Sequence, residues 1–190
     1  MIWMILGLVV FLGAHSVRVA APAWRQRMIG RVGEGTWKGV YSLVSIIGFV
    51  LIVWGYGQAR AAGTTLVWVP PVGMRHAASL LTLVAFVLLV ATYMPRNHIR
   101  RAVGHPMIIG VALWSVAHLL ANGWLHAIVL FGAFLLWALV DWASAARRGP
   151  VVVAPASAMM TALTVVVGVV AWLVFAMWLH RMLIGVAPFG

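Results

Sequence analysis

The chain has 190 residues, of which 65% are hydrophobic and 8% are charged. A water-soluble domain of this length needs more polar residues to cover its surface, so the composition excludes that class and indicates an integral membrane protein. The 13 Lys and Arg outnumber two acidic residues and give a net charge of +11, but they lie between apolar runs, where they set topology and contact lipid headgroups instead of nucleic acid.

Six apolar segments are long enough to cross a bilayer, which takes about 20 mostly apolar residues. In chain order they are 1–21, 39–59, 75–94, 105–122, 124–142 and 158–187. The last segment is over-long, so we expect its end to tilt or to lie in the interface. A short turn at "ANGW" (121–124) separates the fourth and fifth segments. The pattern predicts one all-α domain over 1–190, a polytopic membrane bundle of about six helices.

The distribution of positive charge predicts the orientation of this bundle. The odd-numbered connections and their flanks hold ten basic residues: Arg18, Arg25, Arg27, Arg31, Lys38, Arg96, Arg100, Arg101, Arg147 and Arg148. The opposite side holds three: Arg60, Arg75 and Arg181. The positive-inside rule therefore predicts that the odd loops are cytoplasmic and both termini lie outside. Residues 1–14 carry no charge, so we do not expect a cleaved signal peptide.

Histidine is the candidate metal ligand, since the chain has no cysteine. His15 and His118 are the most deeply embedded of the seven histidines, whereas His126 lies just inside the fifth segment. The other four are His76, His98, His105 and His180. His76, His98 and His180 lie near predicted membrane boundaries, where contact with solvent or headgroups is the default. His105 precedes Pro106, and proline suits the first turn of a helix.

The fourth segment carries a polar stripe around His118. Ser115, His118 and Asn122 are spaced i, i+3 and i+7, which predicts one shared helical face, and Trp114 lies one turn before His118. Two buried histidines on different helices suffice to ligate a haem b iron. Hydrogen bonding between helices is the alternative role for such residues. His76 and His105 are secondary candidates for the site.

Other chemistry has little support in the sequence. Asp141 is expected to pair with Arg147 or Arg148 at the cytoplasmic surface, and Glu34 is expected in a loop. No nucleotide-binding loop, zinc-protease motif or hydrolase triad is found. Gly48, Gly55 and Gly57 are predicted to lie at helix contacts, where small residues let backbones approach.

Two blocks carry a family resemblance: "GAHS" at 13–16 and "RNHIRRAVGHPMIIGVALWSVAHLLANG" at 96–123. With them the chain resembles the NnrU family, bacterial membrane proteins related to the zeta-carotene isomerases of plants and cyanobacteria. The resemblance implies a multi-pass protein of the bacterial inner membrane, with the termini predicted above to be periplasmic. It also implies a haem b with two axial histidines, which correspond to His15 and His118 here.

In the isomerase branch, the resemblance implies that redox change releases one axial ligand so that iron can isomerise a polyene double bond. Ser115 stands where those isomerases have a cysteine. The bacterial branch is associated with denitrification, around nitrite and nitric oxide reduction. Trp114, Ser115 and Asn122 are then expected to surround the cofactor, and a hydrophobic polyene or denitrification proteins are the expected partners besides membrane lipid.

Two alternatives stay open. The chain could be a non-enzymatic assembly or accessory protein whose histidines only bridge helices. The His105-Pro106 pair is also similar to the "RHP" of membrane methyltransferases of the isoprenylcysteine type, which bind S-adenosylmethionine, although Gly104 replaces the arginine.

Overall fold

The computed structural model describes residues 1–148 and 155–189, and the apolar runs of the sequence form long helices in it. In chain order these are α1 (Ile2–Ala20), α2 (Pro22–Val32), α3 (Glu34–Ala61), α4 (Val72–Tyr93), α5 (His98–Val103), α6 (Pro106–Ala121), α7 (Leu125–Arg147), α8 (Ala158–Val174) and α9 (His180–Ile184). A π-helical segment, Phe175–Leu179, joins α8 to α9. The predicted all-α fold is confirmed.

Within the described residues, five helical stretches are long and apolar enough to cross a bilayer: α1, α3, α4, α7 and the continuous stretch Ala158–Ile184. The fourth predicted segment also forms a helix, but α6 has only 16 residues, which is shorter than the roughly 20 of a full crossing. Pro106 stands in its first turn, as predicted. The predicted turn is present, because α6 ends at Ala121 and α7 begins at Leu125.

In the part of the chain that the structure describes, two short helices, α2 and α5, occupy connections in which no helix was predicted. The α2 helix has no buried residue and carries Arg25, Arg27 and Arg31, so its sequence lacks the apolar run that marks a spanning helix. The loop assignment of Glu34 is wrong, because Glu34 begins α3. Its carboxylate pairs with Lys38 one turn later at 2.8 Å, and a negative charge in the first turn favours a helix.

The chain folds as two compact units, and the division falls within α7. The first unit comprises Met1–Trp68 and Gly123–Trp137. Its core is the contact of α1 with α3, where Met4, Leu8 and Ile52 are buried.

Glycines allow α1 and α3 to touch backbone to backbone. A Cβ at Gly7 would lie 2.6 Å from the Ile52 nitrogen, and one at Gly48 would lie 2.7 Å from the Phe11 nitrogen. A Cβ at Gly55 would overlap the Met4 backbone. The contact prediction is thus confirmed for Gly48 and Gly55. It is wrong for Gly57, where an added Cβ meets no described atom within 4 Å, because Gly57 lies on another side of the helix.

Backbone hydrogen bonds around Gly123 join the two chain segments that make up the first unit. The Val67 N–H donates to the Gly123 carbonyl at 2.8 Å, and the Leu125 N–H donates to the Thr65 carbonyl at 2.9 Å. A Cβ on Gly123 would overlap the Trp68 carbonyl. The glycine of the "NG" pair is therefore explained by close backbone approach.

The second unit comprises Val69–Asn122 and the described part of Ala138–Gly190. Its central helix is α4, which packs on α6 and α8. Gly168 of α8 lies where a Cβ would be 2.7 Å from the Val87 Cα, and Trp172 Nε1–H donates to Thr82 Oγ1 at 3.0 Å. The predicted ion pair of Asp141 is confirmed with Arg148, at 3.8 Å.

Asn97 connects the end of α4 to the start of α5. Its Oδ1 accepts from the Arg100 N–H at 2.7 Å, and its Nδ2 donates to the carbonyls of Ala91 and Met94 at 3.0 and 2.6 Å. The side chain is 2% exposed. One buried amide thus caps α5 and holds carbonyls at the end of α4.

Replacing Asn97 with alanine is expected to lower the free energy of unfolding by about 1–3 kcal/mol, because the cap and two buried carbonyl bonds are lost together. Asn97→Asp should fall between this variant and the wild type, since it keeps the acceptor but not the donors. Thermal unfolding in detergent, followed by tryptophan fluorescence, measures the effect. Gln26→Ala, which truncates an exposed amide on α2, is the control. Equal melting of Asn97→Ala and Gln26→Ala contradicts the assignment.

Candidate histidine site

His15 lies half-buried on α1 within the first unit. Its Nδ1–H donates to the Phe11 carbonyl one turn earlier, at 2.7 Å. Because a carbonyl can only accept, this bond places the proton of a neutral ring on Nδ1 and the lone pair on Nε2. Three aromatic rings surround the imidazole: Phe11 at 4.2 Å, Tyr41 at 5.2 Å and Trp137 at 6.1 Å between centroids.

His118 has the same local arrangement on α6, within the second unit. Its Nδ1–H donates to the Trp114 carbonyl at 2.8 Å, which again leaves the lone pair on Nε2. The Trp114 ring packs against the imidazole with centroids 5.1 Å apart, so the predicted contact of Trp114 with His118 is confirmed. His15 and His118 lie in different units, and each is described within its own unit.

The structure brings His180 next to His118, a proximity that sequence spacing did not indicate. Their ring centroids are 6.5 Å apart and their planes differ by 18°. His180 Nδ1–H donates to the Val186 carbonyl at 2.7 Å, and the ring lies edge-on to Phe175 at 5.9 Å. Both imidazoles of this pair therefore bind a backbone carbonyl through Nδ1.

The predicted polar stripe of α6 is present only in part. Ser115 is fully buried, and its hydroxyl donates to the Val111 carbonyl at 2.8 Å. Asn122 is not on the helical face, because α6 ends at Ala121 and Asn122 has extended backbone with φ −132° and ψ 124°. Extrapolating the helical period to Asn122 was wrong. Proximity of Ser115 and Asn122 to a cofactor stays a prediction.

The remaining histidines have other surroundings. His76 is exposed on α4, and His105 is the N-cap residue of α6 but makes no side-chain capping bond. His98 Nδ1 lies 2.8 Å from Thr161 Oγ1. His126 is 4% exposed, bonds Thr64 Oγ1 through Nδ1 at 2.5 Å, and contacts Tyr56 edge-on. His126 thus links α7 to the segment after α3, the role of a histidine that stabilises packing.

The donor set limits which metal centre these residues suit. Among the described residues, no group of three or more His, Asp or Glu side chains is arranged to hold a metal ion. Paired neutral imidazoles instead suit an iron whose other four ligands are the nitrogens of a porphyrin. Histidine ligands also commonly donate their second ring nitrogen to a backbone carbonyl, as His15, His118 and His180 do.

A protein-family model, NnrU, described as "NnrU protein", matches residues 3–188, nearly the whole chain. The chain belongs to the NnrU family. The match takes in every histidine discussed above. No curated protein and no solved structure matches this NnrU family member significantly.

Sequence reasoning about this NnrU chain missed two residues that organise it, His180 and Asn97. His180 was assigned to a membrane boundary because it stands near the end of an apolar run. His180 and His118 are 62 residues apart in the sequence and come together because α6 and α8 both pack on α4. Helical periodicity within one segment cannot predict such a contact. The "RNH" of the second block did offer a signal for Asn97, since asparagine is a preferred N-cap.

Proposed function

We propose that this NnrU family member binds haem b within the membrane and uses it in a redox-linked role, with His118 as one axial ligand. The observation that carries the proposal is the hydrogen bond from His118 Nδ1 to the Trp114 carbonyl. It orients the ring, selects the tautomer with the lone pair on Nε2, and raises the basicity of that nitrogen. Iron binds imidazole in its neutral form, through that lone pair.

His15 supports the proposal independently. It repeats the bond to the carbonyl one turn earlier, and aromatic rings hold its imidazole in place. The resemblance to the isomerases implies His15 as the second axial ligand, so it is one candidate for that position. In His15 and in His118 alike, the Nδ1–H bond to the carbonyl one turn earlier leaves the lone pair on Nε2.

Haem b, if bound, would supply one-electron chemistry, and His118 with a second histidine would hold it. Isomerisation of a polyene through a thiol-assisted ligand exchange is the weaker form of the proposal. Ser115 replaces the thiol, and its buried hydroxyl donates to the Val111 carbonyl. We therefore favour a redox-linked role in nitrite or nitric oxide metabolism in the inner membrane, with periplasmic termini.

A non-enzymatic accessory role for denitrification proteins is the second candidate. His126 favours it, because this buried histidine bonds Thr64 and so demonstrates structural use of an imidazole in the same chain. If all embedded histidines act in this way, the chain carries no cofactor.

Reconstitution separates the two candidates. Detergent-purified, haem-free protein is titrated with haemin, and absorption is recorded before and after reduction with dithionite. We expect a saturable Soret band that sharpens on reduction into the pattern of six-coordinate, low-spin haem. A Soret band no different from that of haemin in empty detergent micelles would support the accessory role and end the haem proposal.

A further inference from the structure

We infer that His180 is the second imidazole of the iron site, so that His118 and His180 form a ligand pair within one unit of the chain. This inference rests on the proposed function, which it sharpens by naming the second axial ligand. The family match does not assign a role to His180, and the sequence placed this residue at a membrane boundary.

The separation of the two rings carries the argument. A metal ion held about 2 Å from one nitrogen of each of two opposed imidazoles keeps their ring centroids about 6 Å apart. The centroids of His118 and His180 are 6.5 Å apart. The observed separation is therefore close to that of two imidazoles that share one metal ion.

The hydrogen bonds of the pair complete the donor set. His118 Nδ1–H donates to the Trp114 carbonyl, and His180 Nδ1–H donates to the Val186 carbonyl. Each bond selects the tautomer that carries its lone pair on Nε2. In these tautomers both rings carry a lone pair on Nε2, so each Nε2 can bind a metal ion and neither can donate a hydrogen bond to the other.

The backbone around His180 is shaped to hold the ring. The π-helical segment Phe175–Leu179 ends directly before it, and such segments are frequent at functional sites because they re-aim the residues that follow. Gly185 ends α9 in the left-handed region, at φ 77°, so the chain turns back and brings the Val186 carbonyl to His180. Phe189 then packs edge-on against Trp172 at 5.8 Å, which fixes this turn on α8.

Three substitutions in the haem-loaded protein test the pair. His180→Ala should convert the haem from low-spin to high-spin or lower its content by more than about tenfold, as loss of a ligand does. His180→Met should keep a six-coordinate haem and raise its midpoint potential, because methionine in place of histidine favours ferrous iron. His98→Ala, which removes a histidine bonded to Thr161, should change neither.

His15→Ala is the comparison that decides between the two candidate second ligands. Loss of low-spin haem in His15→Ala with its retention in His180→Ala assigns the second ligand to His15, and the reverse result assigns it to His180. The electron paramagnetic resonance spectrum of the ferric wild-type protein tests the His118–His180 pair without any substitution. Planes that differ by 18° should give a rhombic low-spin signal, whereas perpendicular imidazoles give a highly anisotropic one.

The outcomes separate the inference from the proposed function. Haem that is low-spin in the wild type and in His180→Ala, but lost or high-spin in His15→Ala, overturns the His118–His180 pair and keeps the haem proposal. Wild-type protein that takes up no haem overturns the proposed function. The pair is then tested by Cu(II) titration, in which the wild type should show coupling to two imidazole nitrogens that His180→Ala reduces to one. Unchanged Cu(II) spectra overturn the pair.

Discussion

His118→Ala is expected to abolish the low-spin spectrum of haem-loaded protein, by conversion to high-spin iron or by a fall in haem content of more than about tenfold. The reason is local. His118 is the histidine whose Nδ1–H is bonded to the Trp114 carbonyl and whose ring faces both Trp114 and His180. No histidine substitution should affect the cofactor more, since His118 is the ligand that the haem proposal requires in every case.

The measurement is the absorption spectrum of His118→Ala and wild type at equal protein concentration, oxidised and reduced. His76→Ala is the matched control, because it removes the same side chain from an exposed position on α4 and should leave the spectrum unchanged. Thermal unfolding of both variants distinguishes loss of a ligand from loss of the fold. A folded His118→Ala protein with the wild-type spectrum contradicts the assignment of this ligand.

Gly55→Ala is expected to lower the free energy of unfolding by about 1–3 kcal/mol, the usual cost of overpacking a tight contact. The added Cβ would overlap the backbone of Met4. Since backbone atoms cannot rotate away as a side chain does, α1 and α3 must separate along a contact that Gly7 and Gly48 also keep close.

Gly57→Ala is the matched control on the same helix, where an added Cβ meets no described atom within 4 Å. It should be neutral or slightly stabilising, because alanine favours a helix by up to about 1 kcal/mol over glycine. Chemical unfolding in mixed micelles measures both variants. Equal stability of Gly55→Ala and Gly57→Ala would show that the two helices do not meet at Gly55.

The long helices were predictable because their signal is local. Runs such as "LLTLVAFVLLV" in α4 are uniformly apolar, and a bilayer crossing requires little more than such a run. The short helices α2 and α5 were not predicted, because they lack a long apolar run and their first residues depend on local start signals. Pro22 begins α2, and a buried Asn97 caps α5 while bonding α4. Gly55 and Gly57 stand in the same apolar run, but they lie on different sides of α3. The apolar run alone therefore did not show which of the two contacts α1.

In the candidate site, only contacts between residues of the same helix could be predicted from the sequence. The spacing of Trp114 and His118 predicted their contact, because residues four apart meet on a helical face, and the structure has it. The same extrapolation failed at Asn122, where the helix had already ended. His180 depends on packing between distant segments, on a π-helical turn and on the left-handed Gly185. None of these has a periodic signature in the sequence.

The haem content of protein purified from cells that make ample haem tests the central claim most directly. Wild type and His118→Ala are purified in parallel in detergent, and haem b per chain is determined by the pyridine haemochrome method. We expect a stoichiometric amount of haem b in the wild type and its loss or marked reduction in His118→Ala. Wild-type protein that is folded but carries no haem b would contradict it.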